Sequence, residues 1–241
     1  MTDPGAELLE AVCSLGDPAP CEAPSGPARR VALLRRRFGL SLPPPFAAPA
    51  VDAPVRPATA VDGPAIAAVK WRAFGTSYRG VFPDAFLDGR EVVPPPGYWV
   101  GRALAPPSRR HRLFAWGPPG AVLGYLDCGP VREGEAGAPA AVGEVYELYV
   151  DPCAQGLGGG GLLLDAATSW LAEAGFTRAE LSVVSTNEAA QAFYRSRGWA
   201  PTGEEEAVDL GIVAFVERRF GRSLAVGGTG TGGFWSRVDG R

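Results

Sequence analysis

The chain has 241 residues, 46% of them hydrophobic and 20% charged, and a formal net charge of −3 at pH 7. That balance excludes a wholly disordered chain. No apolar run approaches the ~18 residues of a membrane span, and the missing basic excess argues against a nucleic-acid binder. His111 is the only histidine, so most histidine-dependent hydrolase classes fall away. Cys13, Cys21, Cys128 and Cys153 lack the spacing of a zinc site or a disulfide framework. They read as free thiols of a cytoplasmic protein, and no metal is expected. The start, MTDPGAELLEAV, lacks the basic and apolar regions of a signal peptide. Lys70 is the only lysine.

In chain order, residues 1–50 hold nine prolines, including Pro43-Pro44-Pro45, and read as an extension with short helices at Glu7–Leu15 and Pro27–Phe38, the second carrying five arginines. Val51–Pro57 reads as a strand. Asp62 can cap a helix with Pro64 in its first turn, running to about Phe74. Asp84–Gly89 reads as a short helix. His111–Trp116 and Val122–Cys128 are strands joined by Gly117-Pro118-Pro119-Gly120. Val142–Val150 is a strong strand, and Gly160–Ala174 a helix closed by Gly175. Ala179–Val184 is a strand and Asn187–Arg197 a helix closed by Gly198. Trp199–Val208 and Ile212–Arg219 form a final hairpin. The last 21 residues, from Gly221, contain seven glycines and read as a flexible tail. The order β-α-α-β-β-β-α-β-α-β-β describes one α/β (α+β) domain over residues 51–220.

The chemistry-bearing stretch runs from Leu148 to Leu162: strand, short loop, glycine run, helix. Glycines let the backbone approach a ligand, and free N–H groups at a helix start favour an anion, so the stretch reads as a phosphate cradle. A Walker loop is excluded, because the only lysine is far away. Gly156, Gly158 and Gly161 match a dinucleotide fingerprint literally. Five residues including Pro152 separate Val150 from the first glycine, however, and the next strand ends without an acidic residue.

Gln155-x-x-Gly158-x-Gly160, preceded by Val150-x-Pro152, resembles the pyrophosphate loop of the GCN5-related N-acetyltransferases (GNAT family). Asn187-x-x-Ala190-x-x-Phe193-Tyr194-x-x-x-Gly198-Trp199 resembles the family's second acyl-CoA block, in the expected order. Val55-Arg56-Pro57-Ala58-Thr59 before Asp62, and Tyr78-Arg79-Gly80 before Pro83-Asp84, are similar to its opening segments. The resemblance implies a mixed sheet of about seven strands, helices on both faces, and a splay between the fourth and fifth strands. It implies acetyl-CoA as cosubstrate. The pantetheine would lie on backbone groups of Leu148, Tyr149 and Val150 and on Asn187, the pyrophosphate on amides of Gly156, Gly158 and Gly160. Gln155, Leu157, Gly159 and Gly161 would complete the loop.

Tyr194 lies two turns after Asn187 on one helix face, and the resemblance makes it the acid that protonates the departing thiolate. Glu144 and Glu147 are candidate bases. Glu144 stands eleven residues before Gln155, the offset of the base in histone-type members. Three-residue spacing puts the two on opposite faces of a regular strand, and a bulge would swap them. Trp71, Phe74, Tyr78 and Phe82 would wall an acceptor pocket completed by Pro130–Ala141 and Val208–Ile212. The expected function is acetyl transfer to a primary amine of a small molecule, with neither nucleic acid nor membrane as partner and room for a homodimer. A protein N-terminal or lysine acetyltransferase, or a non-catalytic acyl-CoA-binding module, would carry the same core.

Overall fold

A computed structural model of the chain describes residues 54–89, 94–106, 108, 110–131 and 141–224. The helices expected within residues 1–50, and the glycine-rich residues after 224, lie outside the described residues. The elements are β1 (Val55–Pro57), α1 (Gly63–Ser77), α2 (Asp84–Asp88), α3 (Pro96–Leu104), β2 (Arg112–Trp116), β3 (Gly124–Pro130), β4 (Val142–Val150), α4 (Gly159–Glu173), β5 (Arg178–Val184), α5 (Glu188–Ser196), β6 (Ala200–Asp209) and β7 (Ala214–Ser223). Every expected element with described residues is present, within a few residues of its expected bounds. Two differences stand out. Strand β7 continues to Ser223, into the segment read as a tail. Helix α3 was not foreseen, and its first residues, Pro95-Pro96-Gly97, run against helix propensity. Pro96 is instead an N-terminal residue of the helix, where its missing N–H costs nothing, and Trp99 and Val100 are buried.

The seven strands form one mixed sheet in the order β1-β2-β3-β4-β5-β7-β6. Only β4 and β5 run parallel. Both faces are covered, and the alternation along β2 shows how. Leu113 and Ala115 join Ile66, Val69, Trp99 and Tyr125 under α1 and α3. Phe114 and Trp116 join Leu126, Val145, Leu163, Leu164 and Leu171 under α4. A strand buried on both sides has no polar face to expose.

Asp62 stands at the N-cap of α1 as expected, but its side chain does not cap that helix. The buried carboxylate accepts bonds from Arg56 Nη1 (2.7 Å) and Nη2 (2.8 Å), Thr59 N (2.7 Å) and Gly120 N (2.9 Å). It thereby ties β1, the start of α1 and the β2–β3 turn together. Burial alone would raise its carboxyl, but the Arg56 guanidinium and the amides outweigh that and hold it below the ordinary 3.8. We expect Asp62→Asn to cost about 3 kcal/mol at neutral pH, measured by denaturant unfolding, because Arg56 loses its partner. A lowered carboxyl stabilises the fold above its unfolded value and stops doing so as pH falls through the folded one. The gap between wild type and Asp62→Asn should therefore be full near pH 7 and shrink below about pH 4.

Candidate active site

Strands β4 and β5 pair only through Val142–Glu144 and Arg178–Glu180. Beyond Glu144 they part, because β5 pairs with β7 along its whole length while β4 stays with β3 up to Val150. A cleft of about 720 Å³ opens in the split. Leu148, Tyr149 and Val150 line one side, Leu181 to Val183 the other, and the start of α4 closes one end. The backbone edge of β4 that faces the cleft has lost its strand partner there, and such groups need another.

The connection from β4 to α4 is built from the residues upward. Asp151 closes a turn at Pro152: its Oδ1 accepts from Cys153 N (3.1 Å) and Cys153 Sγ (2.8 Å). Its Oδ2 pairs with Arg72 Nη2 of α1 at 2.5 Å. Cys153 is therefore a buried structural thiol. Gln155 folds back, donating from Nε2 to Val150 O (3.3 Å). Gly156 (φ +78°) and Gly158 (φ +87°) adopt left-handed backbone that side chains disfavour, and Gly158 is the N-cap of α4. Gly161 and Leu162 turn their N–H groups onto Gly158 O. The N–H groups of Gly156, Gly158, Gly159 and Gly160 have no protein acceptor among the described residues. Four free amides at a helix N-terminus beside a cleft suit a pyrophosphate.

All the expected loop residues line the cleft except Leu157, whose side chain packs toward the core. Gly159 has a second reason to be glycine, since a Cβ there would come within 2.2 Å of the Trp116 ring. A Cβ on Gly161 would come within 1.9 Å of Arg197 Nη2. Arg197 lines the cleft beside the loop, its Nη1 3.1 Å from Asp165 Oδ2. Arg197 is not among the expected site residues. A cation at the C-cap of the helix that carries the second motif was the available signal.

Asn187 lines the cleft and caps α5, its Oδ1 accepting from Ala190 N (3.0 Å). The amide's NH₂ remains a donor for a ligand. Tyr194 is buried against Phe193, Trp199 and Phe220, and it too lines the cleft. Burial, with the nearby Tyr78 phenol adding, pushes its hydroxyl well above the ordinary 10.0. Burial raises the hydroxyls of Tyr78 and Tyr149 as well. The cleft floor therefore holds neutral phenols that act as donors across the physiological range.

The two glutamates separate. Between Asp127 and Cys128 the β3–β4 register shifts, with Asp127 opposite Glu147 and Cys128 opposite Val145. Tyr146 is the extra residue of a bulge. The partners of Glu144 and Glu147, Gly129 and Asp127, lie two apart, so the bulge brings both glutamates to one face. The expectation of opposite faces fails for that reason. Only Glu147 lines the cleft; Glu144 sits farther back, where β4 still pairs with β5. Glu147 Oε2 accepts from Tyr125 OH (2.6 Å), and Oε1 accepts from Lys70 Nζ.

Of the expected aromatic wall, Tyr78 lines the cleft. Phe74 and Phe82 pack with it (4.7 and 5.2 Å between ring centroids), and Phe215 of β7 packs on Phe82 at 5.3 Å. Trp71 and Val208–Ile212 do not line the cleft. Most of Pro130–Ala141 lies outside the described residues. No group of metal-ligating side chains occurs among the described residues, and none of their helices is long and apolar enough to cross a membrane.

The fold recurs in solved structures. A PaiA N-acetyltransferase from Thermoplasma acidophilum, in complex with coenzyme A, superposes with a TM-score of 0.52 at 15% identity, over 69% of this chain and 98% of that one. The ribosomal-protein-alanine N-acetyltransferase from Brucella melitensis gives 0.53 at 22% identity, over 71% and 99%. Salmonella typhimurium yncA, with its cofactor acetyl-CoA, gives 0.54 at 19%, over 75% and 98%. At these identities the likeness is one of fold. In sequence, a mycothiol acetyltransferase from Beutenbergia cavernae is 47% identical over 62 residues, 26% of this chain and 21% of the relative. That from Geodermatophilus obscurus is 44% identical over 72 residues, 30% and 22%. The chain spans about a fifth of the length of these curated relatives. A family model matches residues 72–199, more than half of the chain and the part that contains the glycine loop, Asn187 and Tyr194. The chain belongs to the acetyltransferase (GNAT) family, whose cosubstrate is acetyl-CoA.

Proposed function

We propose that the chain transfers the acetyl group of acetyl-CoA to a primary amine of a small molecule by direct attack within one ternary complex. The observation that carries this reading is the cleft at the β4–β5 split. Free glycine amides, the Tyr194 hydroxyl and the Glu147 carboxylate all border it. The amides of Gly156, Gly158, Gly159 and Gly160, with Arg197 beside them, would hold the pyrophosphate. The open edge of β4 and the Asn187 amide would hold the pantetheine, which puts the thioester near Tyr194 and Glu147.

Glu147 would take the proton that the attacking amine loses, directly or through water, and Tyr194 would serve the departing sulfur. A phenol raised by burial is a weaker acid than a thiol of ordinary pKa ~8.5. Tyr194 therefore works chiefly by donating a hydrogen bond to the thiolate as negative charge builds up on it. Buried free thiols at Cys128 and Cys153 support a reducing, cytoplasmic setting. The domain would comprise residues 51–220 with the last residues of β7.

The test is CoA release in a screen of spermidine, aminoglycosides, amino acids and short peptides. Turnover confined to peptides would replace the small-molecule acceptor with a protein one. Binding of acetyl-CoA without turnover on any amine would leave a cofactor-binding module. For the chosen amine, Tyr194→Phe should lower kcat by ~10²-fold with acetyl-CoA affinity unchanged.

A further inference from the structure

The only lysine of the chain sits where the helix period calls for an apolar residue. In α1 the buried positions Ile66, Val69 and Ala73 form one stripe, and Lys70 lies on it, its side chain 11% exposed. Its Nζ donates to Glu147 Oε1, from 77 residues away in sequence, and lies 5.6 Å from the Trp99 ring centroid and 5.7 Å from that of Tyr149. A buried ion pair is a poor device for stability, since apolar residues of the same volume commonly do as well or better. Stability therefore does not account for a lysine at this position. Its partner does, because Glu147 borders the cleft.

We propose that Lys70 is a positioning residue for acetyl transfer, holding the Glu147 carboxylate in one orientation at the cleft through their ion pair. The proposal rests on the reading of Glu147 as the base. Lys70 occupies one carboxylate oxygen and Tyr125 OH the other, which fixes both the rotamer and the plane of the group. Each oxygen has a further lone pair, so the carboxylate keeps acceptor capacity toward the cleft. A glutamate free to rotate would spend only part of its time within reach of the amine, and small displacements at a reacting centre are expensive. The other groups facing the pair are the phenols of Tyr78, Tyr125 and Tyr149. The ion pairs Arg102–Asp127 and Arg72–Asp151 lie on neighbouring elements.

Because Lys70 is unique, the full chain grown on lysine carrying ¹³C at Cε shows one labelled side-chain signal. That signal should move in Glu147→Gln at unchanged pH, because the ion pair is lost. In kinetics, Lys70→Met should lower kcat by about ten- to a hundredfold with the KM for acetyl-CoA unchanged, and Lys70→Arg should restore part of the loss. A Lys70 signal unmoved in Glu147→Gln overturns the proposal, and it does so even if Lys70→Met fails to fold. So does a folded Lys70→Met with wild-type kcat while Glu147→Gln is inactive, an outcome that leaves the reading of Glu147 standing. A fully active Glu147→Gln overturns both.

Discussion

Gly160→Asp is expected to weaken acetyl-CoA binding by about 10³-fold while leaving the protein folded. The glycine's missing Cβ has ordinary room, its nearest neighbours being Phe193 and Val150 side-chain atoms at 3.6 Å. The substitution therefore strains nothing in the protein. What it adds is a carboxylate at the start of α4, in the corner where the free amides gather. Two unit charges about 4 Å apart at the edge of a protein repel by about 4 kcal/mol, which accounts for the magnitude. Calorimetry measures the affinity, and a melting curve shows that the fold is kept. Gly159→Ala serves as the contrast. Its Cβ would meet the fully buried Trp116 ring at 2.2 Å, so its effect should appear in stability, by about 1–3 kcal/mol. If Gly160→Asp binds acetyl-CoA as the wild type does, the amides are not the pyrophosphate site.

The glutamates provide the second large effect. Glu147→Gln should lower kcat by ~10²-fold or more, the contribution of a positioned base. The loss should be greatest at low pH, where more of the acceptor amine carries the proton that must be removed, and should diminish as pH rises past the amine's own pKa. Glu144→Gln should leave the pH–rate profile in its wild-type shape, since Glu144 lies back from the cleft where β4 and β5 still pair. A pH-dependent loss in Glu144→Gln with a wild-type profile in Glu147→Gln would reverse the assignment. Equal losses at every pH in both variants would make the two carboxylates structural.

The features legible in the sequence are those written into neighbouring residues. The period along Gly159–Glu173, the alternation along Val142–Val150 and the glycines that close α4 and α5 are local signals, and the elements stand within a few residues of where those signals put them. The family was legible because its glycine loop needs glycines at fixed spacing, whatever packs around them. The face presented by Glu147 was not legible. It depends on a bulge at Tyr146, and the bulge exists only in the register between β4 and β3. Helix α3 was missed because its prolines and glycines weigh against a helix until Trp99 and Val100 are buried. The ion pair of Lys70 and Glu147 joins residues 77 positions apart, and no local pattern announces it. Local propensity and spacing act within a few residues, so they determine elements and motifs. Register, bulges and buried ion pairs are settled when distant segments compete for the same partners, and only the tertiary structure decides them.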